Sequence, residues 1–426
     1  MAVGARAVTR ARGLAAVVLL MALTAGTLRV WGRSSGPSLW TVSVGHGPTA
    51  LAVDERRERV FVVNNADASV SVLDARSGAV LATPTVGLFP RAVAVDAAAG
   101  RVFVVDSLPG DGPDSVSVLD ARTGERLGTL AVGRGASAIA VDASTGHVFV
   151  VNTLDGTVRV LAADSGHMRV LRTVAVAPSP VAVAVDAAAG RAFVASRGPL
   201  DYSGHPRGPG SVAVLDARAG TLLRTVTSGT DPTAVAVAAQ RGLVFVLNQG
   251  GNSVSLLDAA SGRVFHTVAV GLFPLALAVD ASTGHVFVAN YRSHTVSVLE
   301  VARGRVVRTV VVPGQPWAVA VDARRRQVFV LTHGAADGSA GRVEVFEAGT
   351  GRLRRSVAVG PLPLAVAVDA WTDRVFVVSS GGAGRTRDLW GVVPGVPQVR
   401  RWLPWLPLRS RGSEPGSVSV LDAACV

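Results

Sequence analysis

Aspartate closes a repeated apolar run at positions 54, 96, 142, 186, 280, 322 and 369, and Ala238 stands where one more would fall. Carboxylates recurring in this way could line a metal site or relay protons. Each run is followed by a short segment such as Asp96-Ala-Ala-Ala-Gly100 or Asp142-Ala-Ser-Thr-Gly146. An Asp that opens such a segment accepts its backbone N–H groups, and a closing Gly supplies positive φ. The spacing therefore favours capped turns over a ring of ligands. His147 and His285 follow the glycine in two of these turns. No carboxylate or cysteine accompanies them at ligand spacing, so they read as solvated turn residues.

A second set of polar residues ends the next apolar run: Asn64, Asp106, Asn152, Asn248 and Asn290. Aromatic and basic residues accompany Gly-x-x-Pro segments that fall between repeats, at Phe89, Arg91, Phe273 and Trp317, and Tyr291 and Arg292 follow Asn290. Amides close turns, but beside aromatic rings and arginine they also make a ligand-binding edge. The candidate ligand contacts are thus Phe89, Arg91, Asp106, Asn152, Asn248, Phe273, Asn290, Tyr291, Arg292 and Trp317. A Gly/Pro-rich stretch over 380–416 adds Trp390, Arg400, Arg401, Trp402 and Trp405, a composition suited to protein contacts or a membrane surface.

Catalytic signatures are missing. No Gly-x-Ser-x-Gly, His-Glu-x-x-His or Cys-x-x-Cys-His occurs. No cofactor or metal is called for. The chain reads as a non-catalytic binding or scaffold module, with a hydrolase or lactonase at a channel mouth as the alternative.

The elements that must position these residues repeat. Residues 270–300 show the unit: β-type runs at Leu275–Val279, His285–Ala289 and Thr295–Leu299, then Val306–Val312, separated by turn residues. Pro precedes the closing Asp position by six residues in every copy but one, where Ala136 stands, and each second run holds a Phe, from Phe61 to Phe376. Four-stranded repeats of this length predict a β-propeller, and the copies count eight blades. The last copy lacks a fourth run, and Trp40–Val44 supplies one from the N-terminal side, closing the ring. Residues 39–426 thus read as one propeller domain. Insertions follow the second run at 106–115, 196–211, 332–342 and 379–417, all on the face of the Gly-x-x-Pro links. Insertions gathered on one face mark a binding face.

Phe61-Val62-Val63-Asn64, Phe149-Val150-Val151-Asn152 and Phe287-Val288-Ala289-Asn290 resemble the Tyr-Val-Thr-Asn motif of the YVTN-type β-propeller repeat family. The flanking Gly-x-x-Pro and Thr-Val-Ser-Val-Leu patterns are similar too. The resemblance implies an extracytoplasmic propeller with a binding or scaffolding role. Its members usually have seven blades, which is the alternative to a count of eight.

Composition and charge fit this reading. Hydrophobic residues are 49% of the chain and aromatics only 5%, as suits small and β-branched residues in sheets buried on both faces. The formal charge is +12. Much of it sits outside the repeats, at Arg6, Arg10, Arg12, Arg29 and Arg33 and in the 380–416 insertion. A nucleic-acid partner is therefore disfavoured. Cys425 is the sole cysteine, so no internal disulfide forms and a monomer is expected. Arg6, Arg10 and Arg12 ahead of the apolar run Gly13–Leu28 read as a signal peptide or anchor within residues 1–38. That places the remainder in the periplasm, secreted, or anchored facing outward. The expected partner is a protein or small molecule, with membrane-surface contact open to the N-terminal segment and the 380–416 loop.

Overall fold

The structure is a computed structural model that describes residues 39–108, 110–164, 167–201, 204–334, 340–381 and 415–424. Eight four-stranded antiparallel sheets succeed one another along the chain. In blade 6 the strands are Pro274–Asp280, His285–Asn290, Thr295–Glu300 and Arg305–Val311, each within a residue or two of the predicted runs. Two single turns of 3-10 helix, Ala239–Arg241 and Val301–Arg303, are the only helical elements among the described residues. No helix there is long and apolar enough to cross a membrane.

The ring closes as the strand count requires. Leu39–Ser43 pairs with Ser417–Asp422, placing Trp40 opposite Val420, and becomes the outer strand of blade 8. The strand begins one residue earlier than the predicted run, at Leu39. Around the join, Val44 N–H donates to the Gly416 carbonyl at 3.0 Å and Gly416 N–H to the Gly45 carbonyl at 3.1 Å.

Packing explains why eight copies of one pattern suffice. Strand residues alternate between the two faces of each sheet, and every sheet has a neighbour on both sides. Eight apolar clusters result, and each straddles two blades. One joins Phe287, Ala289, Val296 and Val298 of blade 6 to Val319, Val328, Val330 and Phe346 of blade 7. Another joins Val60, Val62 and Leu73 of blade 1 to Phe376, Val378 and Val418 of blade 8. The second-strand Phe is buried in every blade, where the sheets begin to diverge and more volume must be filled. The inner strands use Ala and Val, which allow close approach around the axis.

The face opposite the insertions is built from turns. Asp96 Oδ1 accepts the N–H groups of Ala98 and Ala99, both at 2.9 Å, and Gly100 follows at φ 70°. The same arrangement recurs at Asp186 and Asp369. These aspartates are buried caps, as their position at the head of each turn predicts. The two histidines depart from the expectation of solvated turn residues. His147 is partly buried, and its Nδ1 lies 2.9 Å from the Ala217 carbonyl of the next blade. His285 is partly buried with its ring edge toward Phe287. In both, the turn sits close enough to strands and the next blade for the ring to fold inward.

Arginines link neighbouring blades on this face. Arg57 and Arg241 each donate to the carbonyl of the residue after the next blade's capping position, Ala97 and Ala281, at 2.8 Å, and Arg324 does the same to Ala370. The closing seam between blades 8 and 1 is different. Glu55 of blade 1 accepts the Ala370 N–H at 3.4 Å and lies near Asp369. Burial, then the Asp369 charge, pushes the Glu55 carboxyl up to about 7.

Candidate functional site

The other face is the mouth, where inner strands begin and second strands end. The second-strand polar residues Asn64, Asp106, Asn152, Asn248 and Asn290 are fully buried within their blades. Asn290 Nδ2 donates to Thr295 Oγ1 at 3.1 Å and Ser297 Oγ at 2.9 Å. Asn248 Nδ2 donates to Ser253 and Ser255, while its Oδ1 accepts the Gly229 N–H at 3.1 Å. Asn152 Oδ1 accepts Gly133 N–H in the same way, and its Nδ2 donates to Thr157. The amide thus ties the inter-blade link to the hairpin that follows. It also explains the first glycine of the links. A Cβ on Gly271 would lie 2.7 Å from the Asn290 amide, and one on Gly87 would lie 2.5 Å from Asp106 Cβ. These side chains are committed inside the blade, so Asn152, Asn248 and Asn290 present no amide to the mouth.

Asp106 is the variant of this arrangement. Ser117 Oγ donates to its Oδ2 at 2.6 Å, yet its buried Oδ1 has no partner. Burial pushes its carboxyl up to about 6. A carboxylate stands where four other blades use a neutral amide and three a hydroxyl, and desolvation penalises its charge.

The aromatic candidates come together only in part. Phe89 and Phe273 lie in links, whereas Arg91 and Trp317 are already on inner strands, Pro90–Asp96 and Gln315–Asp322. Phe89 and Arg91 belong to blade 2, and Phe273, Tyr291 and Arg292 to blade 6, four blades on in a ring of eight. On the blade 6 side the rings form a ladder. Phe273 and Tyr291 have centroids 6.2 Å apart, and Tyr291 meets Trp317 of blade 7 edge-on at 6.0 Å. Trp317 stacks on His333 at 4.6 Å. His333 Nε2 lies 3.0 Å from the Pro363 carbonyl of blade 8, which assigns its proton to that nitrogen. Burial pushes the His333 pKa down, so the ring is neutral. Arg292 is exposed, with its guanidinium carbon 4.6 Å from the Phe273 ring centre. No carboxylate pairs with it among the described residues. His333 is the ladder member that sequence reasoning missed. Its signal was available: it occupies the same post-strand position as Tyr291, one blade later.

Elsewhere at the mouth, polar side chains join neighbouring blades. Asn65 Nδ2 donates to the Pro90 carbonyl at 2.8 Å and Thr153 Oγ1 to the Pro180 carbonyl at 2.7 Å, each stitching one blade to the next. Arg197 of blade 4 makes a buried ion pair with Asp231 in the link to blade 5. Among the described residues no group of three or more His, Cys, Asp or Glu side chains is placed to share a metal ion. Trp390, Arg400, Arg401, Trp402 and Trp405 of the insertion lie outside the described residues, as does the basic and apolar segment 1–38.

No protein-family model and no curated protein matches the sequence. Solved structures do resemble the fold. Saccharomyces cerevisiae Sqt1 superposes with a TM-score of 0.60 at 12% identity, over 80% of this chain and 95% of that one. Hydrazine synthase of Kuenenia stuttgartiensis gives 0.53 at 16% identity, over 77% and 99%. A functionally unknown protein of Desulfotomaculum acetoxidans gives 0.50 at 17% identity, over 62% and 85%. At these identities the likeness is one of fold, and the chain is placed among β-propellers.

Proposed function

We propose that this propeller is an exported interaction module of the cell envelope, of the YVTN-repeat type, which contacts its partner through the insertion-bearing face without catalysis. The observation that carries the reading is the ladder Phe273–Tyr291–Trp317–His333, which crosses a blade boundary at the mouth with Arg292 exposed beside it. Leu88, Leu108, Leu154 and Leu272 are exposed on the same face. Trp, Tyr and Arg are the residues most often found at interaction hot spots, and the leucines around them add apolar contact area. Export rests on the basic and apolar pattern of Arg6–Leu28.

The test compares two equally exposed positions on opposite faces. Leu272 is 57% exposed at the mouth and Trp371 60% exposed on the turn face. A photo-crosslinking amino acid is placed at each in the full chain, in cells that make it. A discrete adduct from position 272 and none from 371 supports the reading. Adducts from 371 alone, or from neither, would sink it. A phosphatase reporter fused after Val426 that stays inactive would overturn export.

A further inference from the structure

This inference deepens the proposed binding role and rests on it: the geometry points to Arg292 and the ladder beside it as a site for a single carboxylate carried on an apolar body. Three observations converge.

The first is electrostatic. Among the described residues of this face, Arg134 is paired with Asp155, Arg197 with Asp231 and His46 with Asp67. Arg292 has no acidic partner among the described residues, and its guanidinium carbon lies over the Phe273 ring instead. A guanidinium stacked on an aromatic face keeps its in-plane N–H groups pointing outward. That fork matches the two oxygens of a carboxylate. One guanidinium suits a monoanion; a phosphate dianion calls for several donors.

The second is conformational. Phe273 sits at φ 53°, in the left-handed region. A bulky residue there is a true outlier and costs about 1–3 kcal/mol. The link favours that conformation: Gly47 and Gly135 take it at the same position of blades 1 and 3, at φ 59° and 68°. Glycine would meet the same need without strain. What Phe273 adds is its ring, and that ring carries Arg292.

The third is the apolar surround. Leu272 is exposed beside the stacked pair, and Tyr291 and Trp317 continue the surface toward blade 7. A ligand's charge would meet Arg292 while its body lay along the ladder. Burial pushes the Tyr291 phenol up, so it stays neutral and adds no competing negative charge.

The test is calorimetric titration of the full chain with 3-phenylpropanoate, its uncharged amide, and acetate. The expected result is saturable binding of the acid at about millimolar strength. Arg292→Gln and the amide each weaken it at least about tenfold, and Arg292→Lys weakens it less. Acetate alone binds at least about tenfold more weakly, because it lacks the body. An acid affinity that stays within about twofold in Arg292→Gln, equal binding of the amide, or no saturable binding by the unmodified chain overturns the proposal. Arg292→Gln must melt within about 2 °C of the unmodified chain, as surface substitutions do; if it does not, Arg292→Lys and the amide carry the decision. The interaction reading is separable, since an adduct from position 272 with no acid binding removes the carboxylate site and leaves the interaction face.

Discussion

On the turn face, the left-handed positions between third and outer strands hold Gly78, Gly124, Gly220, Gly262, Gly304 and Gly351. At the mouth, the residue before each inner strand faces the same backbone demand. There Phe89, Ser179, Asp231, Phe273 and Leu362 take positive φ beside the glycines of other blades. An L-residue in that region costs about 1–2 kcal/mol relative to glycine. The turn face mostly avoids the cost; the mouth often accepts it. Where it does, the side chain can be seen at work: Asp231 binds Arg197, and Phe273 carries Arg292. Three turn-face links also hold a left-handed side chain, at Glu58, Arg326 and Asp373, and two of these make ion pairs. Glu58 pairs with Arg76 and Asp373 with Arg325. At these four positions the left-handed side chain makes a contact that a glycine could not.

The contrast between blade interior and mouth is sharpest for aromatic residues. Phe149 is fully buried between blades 3 and 4. Phe149→Ala should cost about 3–5 kcal/mol in urea denaturation, the loss expected for a buried ring. Tyr291→Ala, at the half-exposed ladder, should cost about 1 kcal/mol. Equal costs would erase the division between a structural interior and a mouth free to bind.

A smaller effect tests whether the second-strand polar residues belong to the interior. Asp106 has a folded-state pKa of about 6, above its ordinary 3.8, so its protonated form is the one the fold favours. Its contribution is fully present below about pH 3.8 and is lost as pH rises through 6. Asp106→Asn gives blade 2 the amide found in four other blades. It should stabilise the protein by about 2–3 kcal/mol at pH 7.5 and by little at pH 3.5, read from paired urea curves. A gain that does not change with pH would mean that Asp106 is solvated and open to the mouth.

Much of the architecture was legible because it repeats. The Asp caps, the link prolines and the second-strand phenylalanines mark the blades, and the stray run Trp40–Val44 announced the closure seen at Leu39–Ser43. The role of the asparagines was harder to read. Each packs against a link glycine 19 residues earlier, and Asn152 and Asn248 accept its N–H, from Gly133 and Gly229. That constant offset was present in the sequence, but its meaning depends on a turn of chain bringing the pair together. The ladder was less legible still. Phe89 and Phe273 share the same Gly-Leu-Phe-Pro context, yet only Phe273 has Tyr291, Arg292 and a neighbouring-blade tryptophan around it. The Tyr291–Trp317 contact joins different blades, and the others join a link to the loop after the second strand, so no local pattern encodes them. The arginines that reach the next blade's carbonyls, Arg57, Arg241 and Arg324, escaped notice for the same reason.

The central claim is that the mouth keeps side chains in left-handed positions more often than the turn face does, and that at Phe273 the ring is kept for binding. Its most direct test is a pair of unfolding free energies. Gly146 lies at φ 71° on the turn face with open space where a Cβ would stand, so Gly146→Ala isolates the left-handed cost. It should lose about 1–2 kcal/mol. Phe273→Gly relieves that cost while giving up a half-buried ring, so its stability should stay within about 1 kcal/mol of the unmodified chain. The same variant should lose 3-phenylpropanoate binding. A Phe273→Gly protein destabilised by about 3 kcal/mol or more, as a core phenylalanine would be, would contradict the account.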